Sequence, residues 1–116
     1  MEWAQRVARA VEDGRLVLHG QRIGSLGQSN SPVTRYEVLL RMLDDSGNLV
    51  LPTTFIPAAE RYNVMPAVDR WVIRTALSVA AANPFAPDGR QLALSINISG
   101  RSLNDEQFLE FVMREI

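Results

Sequence analysis

The sequence predicts an α/β fold with a parallel component to its sheet. Three observations carry this. The elements run helix, strand, strand, two helices, strand, helix. The helical stretches repeat apolar residues at helical spacing, so each has one face to bury. The second and third strand stretches alternate residue character at period two, so each has two unlike faces.

The elements follow in order. Trp3, Val7, Ala10 and Val11 fall on one helical stripe, and Asp13-Gly14 closes that helix, Gly14 being suited to a left-handed cap. Leu16 to Gln21 reads as a strand, and Gly24 to Pro32, rich in Gly, Ser and Asn, as a loop. Thr34 to Arg41 is the second strand, and Asp44 to Asn48 a turn. A helix is expected to begin near Thr54, with Thr54 as its cap and Pro57 in its first turn. Val68, Trp71, Val72, Ala76, Val79 and Ala80 mark the next helix, started at Pro66 and ended by Asn83-Pro84. Ala86 to Gly89 is a turn, and Leu92 to Ile98 the third strand. Asn104 with Gln107 resembles a capping box, and Leu103 with Phe108 a hydrophobic staple, for a last helix.

Composition narrows the function. A 47% hydrophobic and 22% charged chain of 116 residues is an ordinary globular composition, enough for one small domain. A net charge of −1 does not suit a surface for nucleic acid polymers or anionic membranes. The absence of cysteine excludes disulfides and thiolate metal sites. No apolar run reaches the ~18 residues that span a bilayer. Met1-Glu2-Trp3 does not open a signal peptide. The chain is therefore expected to be cytoplasmic, although its parent can carry membrane segments elsewhere. Arg114-Glu115-Ile116 stops within a helical pattern without a capping glycine, which suggests a chain cut for reasons other than folding.

The strand faces carry the chemistry. Leu92, Leu94, Ile96 and Ile98 share one face of the third strand, which a helix layer would cover. Ala93, Ser95, Asn97 and Ser99 share the other, small and polar, as in a barrel interior near its mouth. In the second strand Tyr36, Val38 and Leu40 share a face, and Arg35, Glu37, Leu39 and Arg41 the other. A carboxylate among apolar strand residues is costly to bury unless it is paired or binds a metal. Glu37 and Arg41 lie roughly 13 Å apart on a straight strand, too far to grip one ion but able to grip two parts of an extended anionic ligand. On pattern alone a strand Glu more often sits at a rim or in an ion pair, and a terminal Asn in a turn. Glu60, Arg61, Asp69, Arg70 and Arg74 read as solvated helix faces, His19 as a strand-edge residue, and Trp3, Trp71, Phe108 and Phe111 as core.

Several segments together resemble one family. Leu18 to Ile23 resembles its first strand, which usually reads Gln-Pro-Ile. Tyr36 to Arg41 resembles the signature Glu-Ala-Leu followed two residues later by Arg. Pro52 to Glu60 resembles its Pro-x-x-Phe-Ile-Pro-x-Ala-Glu helix start, Asp69 to Ile73 the following helix, and Ser95 to Ser99 a strand ending in Asn-x-Ser. In order and at fitting distances, these identify the chain as similar to EAL-type cyclic-di-GMP phosphodiesterases.

The resemblance implies the amino-terminal portion of a TIM-like (β/α)8 barrel with an early antiparallel strand, residues 1–116 being a partial domain. It implies hydrolysis of cyclic-di-GMP to pGpG with two Mg²⁺ or Mn²⁺ ions. By position Glu37 and Asn97 would be metal ligands, and Gln21 and Arg41 would contact substrate. Val38 replaces the usual Ala on the face away from the site, and Arg22 replaces Pro beside Gln21. Further metal carboxylates, an adjacent Asp pair and a catalytic Lys come from later strands of the family. One inward carboxylate and one amide cannot hold a dinuclear pair, so this stretch alone is expected to be inactive. Such barrels need about 250 residues, so it is also expected to pair its edges or form a homo-oligomer. The parent is expected to carry other signalling domains. A catalytically silent cyclic-di-GMP receptor is the alternative, and an α/β fragment that only packs against a partner is a third reading.

Overall fold

The structure, a computed structural model, describes residues 2–24 and 32–116. Among them the order is α1 (Glu2–Asp13), β1 (Leu16–Ile23), β2 (Val33–Leu43), β3 (Leu49–Val50), α2 (Pro52–Arg61), α3 (Met65–Ala82), β4 (Gln91–Ile96), α4 (Gly100–Leu103) and α5 (Glu106–Glu115). Of the expected loop from Gly24 to Pro32, residues 25–31 lie outside the described residues, as does Met1. No helix among the described residues is long and apolar enough to cross a membrane.

β2 organises the sheet. It pairs antiparallel with β1 along its length, antiparallel with β3 at its carboxyl-terminal end, and parallel with β4. The sheet is thus mixed: element order indicated parallel pairing, which holds for β2 with β4, while β1 runs antiparallel as the family resemblance implies. Only nine residues separate Ile23 from Val33, fewer than the dozen or so a parallel crossover takes, whereas β4 follows α2 and α3 and can return in parallel.

Four helices, α1, α2, α3 and α5, cover one side of the sheet. Leu16, Leu18, Val38, Leu40, Met42, Leu94 and Ile96 project from the same sheet face into apolar clusters with α1, α2, α3 and α5. Val7, Phe55 and Val68 are fully buried there. Phe108 and Phe111 of α5 close a second cluster over Ile73 of α3. Trp3 and Trp71 are only partly buried, packed against the margin of the first cluster. The substituted Val38 sits in this core, on the face away from Glu37.

Several local expectations need correction. α2 starts a turn earlier than Thr54: Pro52 occupies the first turn, Leu51 is the cap without a side-chain bond, and Pro57 lies inside the helix. α5 is capped by Asp105, whose side chain accepts from the Gln107 amide. Asn104 instead ends α4, a short helix the sequence reading did not include, and Leu103 is exposed and not a staple. A carboxylate reaching an N–H two residues on competes directly with the neighbouring amide, so either residue fits the sequence pattern. Val79 is exposed, near the carboxyl-terminal end of α3. Asp69, read as solvated, is 2% exposed.

The two expected turns are held by carboxylates. Asp44 accepts from the amides of Ser46 and Asn48, and the Asn48 amide foremost holds its carboxyl below the usual value. Asp88 accepts from the buried Thr34 hydroxyl at 2.6 Å and from the Arg90 amide at 3.0 Å, with Arg22 Nη2 at 3.5 Å. The Thr34 hydroxyl is the main cause of the lowered Asp88 carboxyl, followed by the Arg90 amide. Arg22, where the family has Pro, thus lies in β1 and reaches this turn.

Two outcomes follow for the domain containing this chain. Phe55→Ala removes a ring from a fully buried position and should cost about 3–5 kcal/mol in denaturant unfolding; a loss under about 1 kcal/mol would contradict the packing described. A carboxyl lowered in the folded state contributes stability above its unfolded pKa of about 4 and loses it as pH falls through the folded value. The stability gap between the protein and Thr34→Val should therefore be widest near neutral pH and narrow below about pH 4. A gap constant across that range would remove Asp88 as its cause.

Candidate functional site

The sheet face opposite the helices carries the residues of interest. On β2 this face shows Arg35, Glu37, Leu39 and Arg41, and none of its sheet residues enters the apolar clusters. The register sets Gln21 of β1 opposite Glu37 of β2, and Glu37 level with Ser95 of β4. The three stand abreast across three strands. Gln21 is exposed, while Glu37 and Ser95 are half-buried.

Asn97 is the first residue past the end of β4 and is exposed. It stands two residues beyond Ser95, so ladder spacing puts its Cα about 8 Å from that of Glu37. Arg41 lies four residues further along β2 than Glu37 and is half-buried. Its Nη1 donates to the Leu40 carbonyl at 2.7 Å. Arg41 and Asn97 both line a cavity of about 340 Å³ at the carboxyl-terminal ends of β2 and β4, which reaches in between the sheet and the helices, where Val38, Val68, Val72 and Asp69 also line it. Gln21 and Glu37 do not line this cavity; they occupy the row of the sheet before it.

Partners separate these groups. Among the described residues Glu37 has no ion pair and no side-chain hydrogen bond, so the ion-pair explanation of a strand carboxylate does not apply. The Asn97 amide likewise has no partner there. Both are hard oxygen donors of the kind Mg²⁺ and Mn²⁺ prefer. Among the described residues no group of three or more His, Cys, Asp or Glu is assembled that could hold a metal ion.

Asp69 is the residue the sequence reading missed. Its Oδ2 accepts from the Ser99 hydroxyl at 2.5 Å, the Ser102 hydroxyl at 2.6 Å and the Ser99 amide at 3.2 Å. Ser99 in turn caps α4 by accepting from the Ser102 amide. The signal was present in the period: Met65, Val68, Asp69, Val72, Ile73 and Ala76 are the buried residues of α3, and Asp69 falls in step with that stripe. Arg70, beside it, is half-buried and lies with Arg74 over the Phe111 ring. Arg74 is exposed, as are Glu60 and Arg61.

Comparison with known proteins agrees with this architecture. The sequence matches the EAL domain family over residues 4–116. It is 40% identical over 114 residues to the cyclic di-GMP phosphodiesterase PdeB of Shewanella oneidensis, covering 98% of this chain and 13% of that protein. The fold matches the FimX EAL domain of Pseudomonas aeruginosa, solved bound to c-di-GMP, with a TM-score of 0.85 at 28% identity, over 99% of this chain and 44% of the other. A further FimX EAL domain structure matches at a TM-score of 0.82 and 29% identity, over 97% and 44% of the two chains. The chain therefore spans under half of the solved domains and a small part of its longer relative, and by sequence and fold it belongs to the EAL domain family.

Proposed function

We propose that this chain is the amino-terminal portion of a (β/α)8-type EAL barrel that hydrolyses cyclic-di-GMP to pGpG with divalent metal ions. The observation that carries the reading is Glu37. It is a half-buried carboxylate without a partner among the described residues, in a register that brings it near the equally unpartnered Asn97. Leaving such a group unpaired is unfavourable for stability alone. A cation supplied from outside the chain explains its retention. The relationship to PdeB, whose name gives the activity, supports the same substrate.

In this reading Glu37 and Asn97 would each offer one oxygen to a Mg²⁺ or Mn²⁺ ion. Bound there, such ions would neutralise charge on the phosphodiester and lower the pKa of the attacking water. The chain's own part is to hold those oxygens on one sheet face and to orient the substrate. Arg41, beyond Glu37 at the cavity, suits one phosphate of an extended dinucleotide. Gln21, abreast of Glu37, offers an amide for a further polar contact. Two oxygen donors fall well short of the about six a hard divalent ion takes. The remaining ligands are assigned to the rest of the domain, consistent with the 44% coverage of the FimX EAL domain. A silent receptor is the second reading, favoured only by the FimX structure having been solved with c-di-GMP bound.

In the complete domain, Glu37→Gln should lower Mn²⁺-dependent hydrolysis of cyclic-di-GMP by about 100-fold or more, since even residues behind metal ligands are worth 10–100-fold. Val7→Ala, a core truncation on α1 away from the cavity, should keep turnover near normal. Equal activity of E37Q and the unaltered protein would end the metal assignment. The 116 residues alone should show no turnover and should self-associate in light scattering, because among the described residues the outer edges of β1 and β4 pair with no further strand. A stable monomer with measurable hydrolysis would contradict the partial-barrel reading.

A further inference from the structure

We propose that Asp69 is a positioning residue for Asn97. The inference rests on the reading of Asn97 as a metal ligand and adds to it a device that holds that ligand.

Asn97 lies between two fixtures. The residue before it, Ile96, is paired with Val38 in the β2–β4 ladder. The second residue after it, Ser99, is tied to Asp69 through both its backbone amide and its hydroxyl. Only Asn97 and Ile98 are left between the sheet and the clamp. Ile98 is itself packed against the apolar cluster of Ile73, Phe108 and Phe111. The backbone that carries Asn97 is therefore held on both sides, while its side chain remains exposed and without a partner.

The chemistry of the clamp argues for more than packing. α3 buries Met65, Val68, Val72, Ile73 and Ala76 along the same stripe, so an apolar residue at 69 would continue it. A carboxylate at 2% exposure instead takes its three hydrogen bonds from two serines, with no cation bridged to it among the described residues. Replacing buried polar groups by apolar ones is often neutral or stabilising. The polar choice gains direction: one oxygen gathers three donors, all from the segment that follows Asn97. Ser102, fully buried, secures the far end by donating to the same oxygen. Asp69 and Ser99 also line the cavity that holds Asn97 and Arg41, so loosening the clamp would be felt at the site.

The test uses the full protein that carries this chain, with Mn²⁺ affinity read by EPR titration of free Mn²⁺. Asp69→Asn and Ser99→Ala should each weaken Mn²⁺ binding by about 10- to 100-fold, as loss of a residue supporting a metal ligand does. Asn97→Ala should weaken it comparably. In the Asn97→Ala background the Asp69→Asn change should have little further effect, because its route of action is gone. Should Asp69→Asn fold poorly, Ser102→Ala removes one donor and is read the same way. Val7→Ala, a truncation of a fully buried α1 residue away from the cavity, is the control for general destabilisation and should leave Mn²⁺ affinity within two-fold. If Asn97→Ala weakens Mn²⁺ binding while the clamp variants stay within two-fold, or if their effects add in full to that of Asn97→Ala, the positioning role is overturned and the ligand reading survives. If Asn97→Ala leaves affinity unchanged, the ligand reading falls and the positioning role with it.

Discussion

The register of β2 is the constraint on which the rest depends. Every other strand among the described residues pairs with it, and its 11 residues present two unlike faces. Val38, Leu40 and Met42 bind the helices, and Glu37, Leu39 and Arg41 face the other way. A slip of one residue would exchange those sets and put Glu37 and Arg41 into the apolar layer. Register is therefore enforced by the core, and the site inherits its geometry from that enforcement. Gln21 and Ser95 stand beside Glu37 because Gly20 and Ile96 stand beside Val38.

The same asymmetry sets what each face of the sheet contributes. Burial of one sheet face against α1, α2 and α3 gives the chain a core, with Val7, Ala10, Phe55 and Val68 closed to solvent. The second face offers polar and charged groups with no layer of apolar residues over them. It cannot contribute much hydrophobic stabilisation as it stands. Within a barrel such a face becomes the interior, and groups such as Glu37 meet counterparts from other strands. Leu109 and Met113 on α5 are likewise apolar residues left exposed on the helical side.

Much of this was legible in the sequence because periodicity records faces. The strand and helix order, the inward apolar residues and the alternation that puts Glu37 and Arg41 on one side of β2 follow from spacing alone. The boundaries were less legible. Asp105 and Asn104 are equally plausible caps by type, and only the path of the chain through α4 decides for Asp105. Two residues of β3 are too few to show a period. The antiparallel run of β1 depends on a connection, not on its composition. Asp69 is hidden for a different reason: its residue type suggests solvent while its position is buried. Its spacing in α3 was that of the core, and its partners, Ser99 and Ser102, lie some 30 residues away where no local pattern reveals them.

Glu37 and Asp69 show how structure separates two carboxylates that sequence treats alike. Each interrupts an apolar run, and each must be compensated. Asp69 is the more deeply buried and has its donors within the chain, so its energetic account is local: three bonds fix Ser99 and the start of α4. Glu37 is less buried and has none, so whatever compensates it comes from outside these residues. Asp69, satisfied by the protein itself, is a scaffold group, while Glu37, unsatisfied on an ordered strand, is the group proposed above to meet a ligand. The two meet at the end of β4, where the scaffold carboxylate ties down the segment just beyond Asn97. Precision at an unpartnered side chain depends on complete satisfaction of the one that supports it.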